Sequence, residues 1–126
     1  MYNKIVVASD SFKGSLTSLE VAQSVAKAVK ESHPLCEVVE VNVADGGEGT
    51  VEAVLAATGG NLQTVHVKDP LGRQIQASYG ILPSGTAVIE MAAASGLTLL
   101  SEKERNPFYT STYGTGQLIL DAIQKG

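Results

Sequence analysis

The sequence predicts an α/β chain, with a βαβα unit over residues 4–58, then an antiparallel β-hairpin or meander, then an amphipathic helix at the end. Three observations carry this. Lys4-Ile5-Val6-Val7-Ala8-Ser9 and Glu37-Val38-Val39-Glu40-Val41-Asn42-Val43 are short β-branched runs. The first lacks strict alternation, which suits a strand buried on both faces of a parallel sheet. Between the two runs, Thr17 and Glu20 form a capping-box pattern, and Leu19, Ala22, Ala26 and Val29 recur at helical spacing until Pro34. A helix of roughly 15 residues there can return the chain for a parallel strand, by a crossover of right-handed sense. Past Gly59-Gly60 the texture changes to alternation, in Gln63-Thr64-Val65-His66-Val67 and again in Gln74-Ile75-Gln76-Ala77-Ser78-Tyr79, with the turn signal Asp69-Pro70-Leu71-Gly72 between them.

The remaining elements follow in order. The apolar run Val51 to Ala57 predicts a second helix, and Pro83-Ser84-Gly85 is a turn ahead of a strand over Thr86 to Met91. Met91-Ala92-Ala93-Ala94-Ser95-Gly96 places small residues after that strand, where close packing and ligand access are both open. A polar loop from Ser101 to Asn106 precedes Pro107, and Gly116 or Gln117 through Leu118, Ile119, Ala122 and Ile123 reads as the final helix. The organisation expected is an N-terminal segment over 1–60 and a meander with helix over 61–126, the latter part of a second domain or leading into one. The chain stops where glycine caps a helix and a further strand would follow, so it is expected to be part of a longer protein.

Composition narrows the function classes. The chain has 126 residues and a net charge of −4, with 9 basic residues scattered rather than striped, which argues against nucleic acid as a partner. The single Cys36 excludes an intrachain disulfide or a multi-cysteine metal site, so a reducing cytoplasm is the natural setting. No signal-peptide pattern opens the chain and no apolar stretch approaches membrane-spanning length. His33 and His66 have no partner at metal-ligand spacing.

Three segments carry candidate chemistry. Asp45-Gly46-Gly47-Glu48-Gly49-Thr50 sets two carboxylates and three glycines between a strand and a helix, where ligands bind in open α/β sheets. Asp45 and Glu48 could hold a hydrated cation such as Mg²⁺ or polarise a hydroxyl, while Gly46 and Gly47 let a ligand approach the backbone. The same residues also suit a plain turn, with Asp45 as a cap and Glu48 as a first-turn acid. Asp10, Ser11, Lys13 and Ser15 crowd the first strand-to-helix turn around Gly14, forming either an anion site or a solvated turn capped by Ser15 or Thr17. It is not a Walker P-loop, since Lys13 precedes the glycine. Thr110-Ser111-Thr112-Tyr113-Gly114-Thr115-Gly116 combines hydroxyls and glycines ahead of a helix, with Arg105 upstream. That suits a carboxylate or phosphate, or else an elaborate N-cap.

Four ordered blocks then stand out together: Asp10-Ser11-Phe12-Lys13-Gly14-Ser15-Leu16, Ala44-Asp45-Gly46-Gly47-Glu48-Gly49-Thr50, Glu90-Met91-Ala92-Ala93-Ala94-Ser95-Gly96-Leu97, and Arg105-Asn106-Pro107 continuing to Gly116. In these the chain strongly resembles the bacterial glycerate kinase family, from about Lys4 to its end. Ser9 departs from the family's usual proline without removing a functional group.

The resemblance implies a Rossmann-like α/β domain and a second α/β domain with a cleft between them, of which this chain is the N-terminal part. It lacks the Gly-Ile-Gly-Gly-Ser-Ala-Thr type loop expected after the last helix. The implied activity is transfer of the ATP γ-phosphoryl group to D-glycerate with Mg²⁺, with the 126-residue chain silent by itself and homo-oligomerisation left open. The resemblance assigns Lys13 to phosphate or the glycerate carboxylate, with Asp10 orienting it or a hydroxyl. It assigns Asp45 and Glu48 to Mg²⁺ or the substrate hydroxyl, and Gly14, Gly46 and Gly47 to nucleotide or phosphate. Ser95, Arg105, Ser111, Thr112 and Gly114 fall to glycerate. The other readings are a non-catalytic carboxylate- or phosphate-binding module and a kinase for a related sugar acid.

Overall fold

A computed structural model describes residues 3–12 and 14–126. The elements run β1 (Lys4–Ser9), α1 (Ser18–Ser32), β2 (Glu37–Asn42), α2 (Thr50–Thr58), β3 (Asn61–Lys68), β4 (Gln74–Ile81), β5 (Ala87–Val88), α3 (Ala92–Ser95) and α4 (Tyr113–Lys125), with 3-10 turns at Leu97–Leu99 and Glu102–Glu104. The fold is mixed α/β, with one parallel and one antiparallel sheet, as the sequence predicts. It forms two compact units, Met1–Asp45 and Gly46–Gly126. Helix α2 thus groups with the meander instead of with the βα segment preceding it. The reason is packing: Val51 and Leu55 of α2 lie against Gly80 of β4, where a Cβ would stand only 3.1–3.3 Å from their side chains.

In the first unit β1 and β2 pair in parallel, from Lys4 opposite Glu37 to Ser9 opposite Asn42, and α1 makes the crossover. The capping box forms as its spacing predicts. Thr17 Oγ1 accepts from the Glu20 amide at 3.2 Å, and the Thr17 amide donates to Glu20 Oε2 at 2.8 Å. The buried face differs in part from the predicted stripe: Ser18, Val21, Ala22 and Ala26 are buried, whereas Leu19 is exposed. Ser18 goes inward because its hydroxyl links the end of β1 to the residue after β2, donating to the Ser9 carbonyl at 2.6 Å and accepting from the Val43 amide at 3.4 Å. Within the first unit Val7 of β1 is buried, and Val6, on the opposite face of the strand, is 59% exposed. Replacing Thr17 by Ala should cost about 1 kcal/mol through loss of the cap. Urea unfolding of this chain would register it as a lowered midpoint at constant slope.

The second unit is built on the predicted meander. β3 pairs antiparallel with β4 from Asn61 opposite Ile81 to Lys68 opposite Gln74, and β4 pairs with β5 through Gly80–Val88 and Ile81–Ala87. Alternation sends Val65, Val67, Ile75, Ala77 and Tyr79 to one face, where they meet Ala94 of α3 and Leu118 and Ala122 of α4. Gly80, next to Tyr79, faces the opposite way, so α2 covers the other side. Tyr79 is fully buried, yet its hydroxyl is satisfied by donating to Asp121 Oδ2 at 2.8 Å. Burial and that carboxylate push the phenol's pKa up, while hydrogen bonds from Lys125 and Tyr79 hold Asp121 below the usual carboxylate range.

The β3–β4 turn closes on Asp69, whose Oδ1 accepts from the amides of Leu71 at 2.9 Å and Arg73 at 2.8 Å. Burial would raise the Asp69 pKa, but the Arg73 guanidinium and these amides outweigh it and hold the carboxyl low. The same guanidinium reaches Glu104 Oε1 at 2.8 Å and the Leu99 carbonyl at 3.1 Å, tying the turn to the loop that follows α3.

Two predicted boundaries move. β5 ends at Val88 rather than Met91, because Glu90 turns inward and Met91 leads into α3. Helix α4 begins at Tyr113, ahead of the Gly116 or Gln117 start, so Gly114 and Gly116 lie inside it. Gly114 is admitted there by packing: a Cβ on it would run into the Lys68 carbonyl oxygen and stand 3.2 Å from the Ala94 methyl.

Candidate functional site: a hydroxyl-lined pocket and a glycine turn

The second unit contains an open pocket of about 360 Å³, lined by Pro70, Ser95, Leu97, Leu100, Thr110, Ser111 and Thr112. Three of the predicted substrate residues, Ser95, Ser111 and Thr112, thus share one cavity although the first is distant from the others in sequence. Several contacts hold them in place. The Ser111 amide donates to the Pro70 carbonyl at 2.9 Å, Ser111 Oγ accepts from the Tyr113 amide at 3.1 Å, and Ser95 Oγ is 2.7 Å from Thr115 Oγ1. Thr112 is the N-cap residue of α4 but makes no side-chain cap bond, so its hydroxyl is not committed to the helix end. Hydroxyl donors beside a helix N-terminus, walled by Leu97 and Leu100, suit a small polar anion better than an apolar ligand.

Gly114 is buried and does not line the pocket; its position is explained by the packing of α4 against the Lys68 carbonyl and Ala94. Arg105 follows the Glu102–Glu104 turn, is exposed, and is not among the lining residues. Pro70, Leu97 and Leu100 were not legible as lining residues, because they reach the pocket through the hairpin turn and the 3-10 turn. Thr110 was visible as part of the hydroxyl run.

The glycine turn sits at the division between units, with Asp45 ending the first and Gly46 opening the second. Asp45, Gly46 and Glu48 are exposed, and Gly47 is half-buried. The N-cap of α2 is Gly49 at φ 87°, a left-handed conformation that a residue with a Cβ rarely adopts. Glu48 therefore precedes the helix, and the acid of its first turn is Glu52. The cap comes from a distant residue: Glu90 is buried, and its carboxylate accepts from the Val51 amide at 3.0 Å and the Gly49 amide at 3.4 Å. A lone acid between Ile89 and an Ala-rich run was the available signal for such a buried acceptor. Among the described residues no group of three or more His, Cys, Asp or Glu converges as a protein-only metal cage.

In the first unit, Asp10 Oδ1 accepts from the Ser11 amide at 2.7 Å. The loop closes through the Phe12 amide on the Leu16 carbonyl at 2.8 Å, with Gly14 at φ 78°. Thr17, not Ser15, caps α1. Lys13 lies outside the described residues.

The chain is thus of the mixed α/β class, with a hydroxyl-lined pocket in its second unit and a carboxylate-bearing glycine turn. Comparison with known proteins makes the class specific. The family model described as glycerate kinase family matches residues 5–126, and the chain belongs to that family. It is 52% identical over 124 residues to glycerate 2-kinase of Escherichia coli (strain K12), covering 98% of this chain and 32% of that protein. It is 47% identical over 127 residues to a glycerate kinase of Halalkalibacterium halodurans, covering 98% of this chain and 33% of the relative. A crystal structure from Salmonella typhimurium LT2 assigned to glycerate kinase 2 superposes with a TM-score of 0.70 at 44% identity, covering 98% of this chain and 33% of that one. The chain therefore spans about a third of the length of the relatives it matches.

Proposed function

We propose that the full-length protein transfers the γ-phosphoryl group of ATP to D-glycerate, giving 2-phosphoglycerate. The observation that carries this reading is the pocket bringing Ser95, Ser111 and Thr112 together within a chain of the glycerate kinase family. In this reading the pocket's hydroxyls, with Arg105, hold the glycerate carboxylate, and Lys13 neutralises phosphate or carboxylate charge. Gly14, Gly46 and Gly47 allow the triphosphate close to the backbone. Phosphoryl transfer needs positioning and charge neutralisation more than covalent chemistry, which matches such a residue set. The substrate hydroxyl oxygen bonds to the γ-phosphorus as the bond to the β–γ bridging oxygen breaks. ADP leaves, and the hydroxyl proton passes to a carboxylate, for which Asp10 is the candidate.

Asp45 and Glu48 are the residues that would hold Mg²⁺. Both carboxylates are exposed, and among the described residues they are not part of a group of three or more His, Cys, Asp or Glu, which fits the ion's habit of keeping waters and binding substrate phosphates. When bound, the ion neutralises charge on the phosphate oxygens. The reading places the protein in the cytoplasm, without nucleic-acid or membrane partners; no helix among the described residues is long and apolar enough to cross a membrane.

The expected result in a coupled ADP-release assay of the full-length protein is glycerate-dependent turnover. Ser111→Ala should raise KM for glycerate by about tenfold, equivalent to one charge-assisted hydrogen bond. Absence of turnover with glycerate across a panel of small hydroxy acids would sink the reading, and preference for another acid would move it to a related sugar-acid kinase.

A further inference from the structure

The segment after β5 and the glycine turn belong to sequence regions far apart, yet one buried carboxylate, that of Glu90, joins them. Glu90 is 7% exposed, and its two oxygens accept separately, Oε2 from the Val51 amide at 3.0 Å and Oε1 from the Gly49 amide at 3.4 Å. Among the described residues its charge is balanced by these amides and by the end of α2 rather than by an ion pair. The first amides of a helix carry a partial positive charge and ordinarily offer an anion site. Here a residue of the protein already occupies that place. A phosphate oxygen arriving at the same amides would meet a buried carboxylate, and the exposed Glu48 adds further negative charge beside it.

We infer that Glu90 is a positioning residue for the proposed phosphoryl transfer. By clamping the Gly49 and Val51 amides it fixes the backbone that presents Glu48, and it closes the α2 terminus to direct phosphate binding. Phosphate oxygens are thereby kept off the Gly49 and Val51 amides, and a cation held by Glu48 would supply the positive charge there instead. The inference rests on the reading of the turn as part of the kinase site.

The test uses the full-length protein with Glu90→Gln, Glu90→Asp and, as the control for the site reading, Glu48→Gln. Kinetics, melting temperature and hydrogen exchange of the Gly49 and Val51 amides are read for each. Gln keeps one oxygen acceptor but removes the charge and sets an NH₂ against an amide donor. The expected result for Glu90→Gln is faster exchange at both amides, a kcat lowered by about tenfold per folded molecule and a KM for glycerate within about twofold of the parent. Glu90→Asp, which keeps the charge with shorter reach, should recover part of kcat, and it decides the matter if the Gln variant does not fold. An unchanged kcat per folded molecule alongside faster exchange would reduce Glu90 to a helix cap and overturn the inference. If Glu48→Gln lowers kcat and neither Glu90 variant does, the inference fails while the site reading stands. If Glu48→Gln leaves kinetics untouched, the site reading fails and takes the inference with it.

Discussion

Replacing Asp45 by Asn in the full-length protein is expected to lower kcat/KM by about 10² or more, equivalent to roughly 2.7 kcal/mol of lost transition-state stabilisation. Glu48→Gln should act in the same direction. Asn keeps a side-chain oxygen, so a role for Asp45 in capping would leave activity near normal and change stability by no more than about 1 kcal/mol. The geometry sharpens the contrast, because Gly49 is the N-cap of α2 and Glu90 supplies the acceptor for its free amides. On the proposed reading, loss of the Asp45 charge lowers turnover far more than it lowers stability. Melting temperature, Mg²⁺ dependence and kcat/KM measured together separate the two. A lowered melting temperature with parental kinetics would leave the turn as structure alone.

The second large effect is expected at Gly114. Gly114→Ala should destabilise the fold by about 3 kcal/mol or more, the upper end of overpacking costs, because the obstruction is backbone. The added methyl points at the Lys68 carbonyl oxygen, with Ala94 behind it, so α4 can accommodate it only by moving away from β3. Gly116→Ala is the internal control. It lies in the same helix with nothing within 4 Å of its Cβ position, so it should stabilise by about 0.5–1 kcal/mol through helix propensity. Urea unfolding of both variants decides the point: a Gly114→Ala protein as stable as its parent would mean that α4 does not sit against the Lys68 carbonyl. Because Ser111 and Thr112 immediately precede α4, a displaced helix should also raise KM for glycerate in the full-length protein.

Much of the architecture was legible because it is set by neighbours in sequence. The Thr17–Glu20 capping box, the alternation of β3 and β4, and the Asp69 to Gly72 turn are local patterns whose partners lie within a few residues or across a short hairpin. Hydroxyls and carboxylates in glycine-bearing turns marked the candidate site for the same reason, and the four ordered blocks identified the family. What local pattern could not specify was which face of an element finds a partner. Leu19 has helical spacing but stays exposed while Ser18 turns inward, because the inward position is decided by the carbonyl of Ser9 and the amide of Val43.

The same holds for the site. The hydroxyl run raised the expectation of a polar ligand, and only folding brings Ser95 and Pro70 to it and leaves Arg105 off the pocket wall. Periodicity delayed α4 to Gly116 because glycine is a poor helix former, and the close approach to Lys68 is what makes Gly114 the residue that fits. Glu90 read as part of a strand, and its contacts with the Gly49 and Val51 amides exist only once the chain after β5 meets the start of α2. The amino-acid sequence by itself determined the elements, their order and the chemical groups available, since these follow from spacing and local hydrogen bonding. The tertiary structure alone decided which of those groups meet, because a buried carboxylate or a missing Cβ has meaning only against the distant backbone it touches.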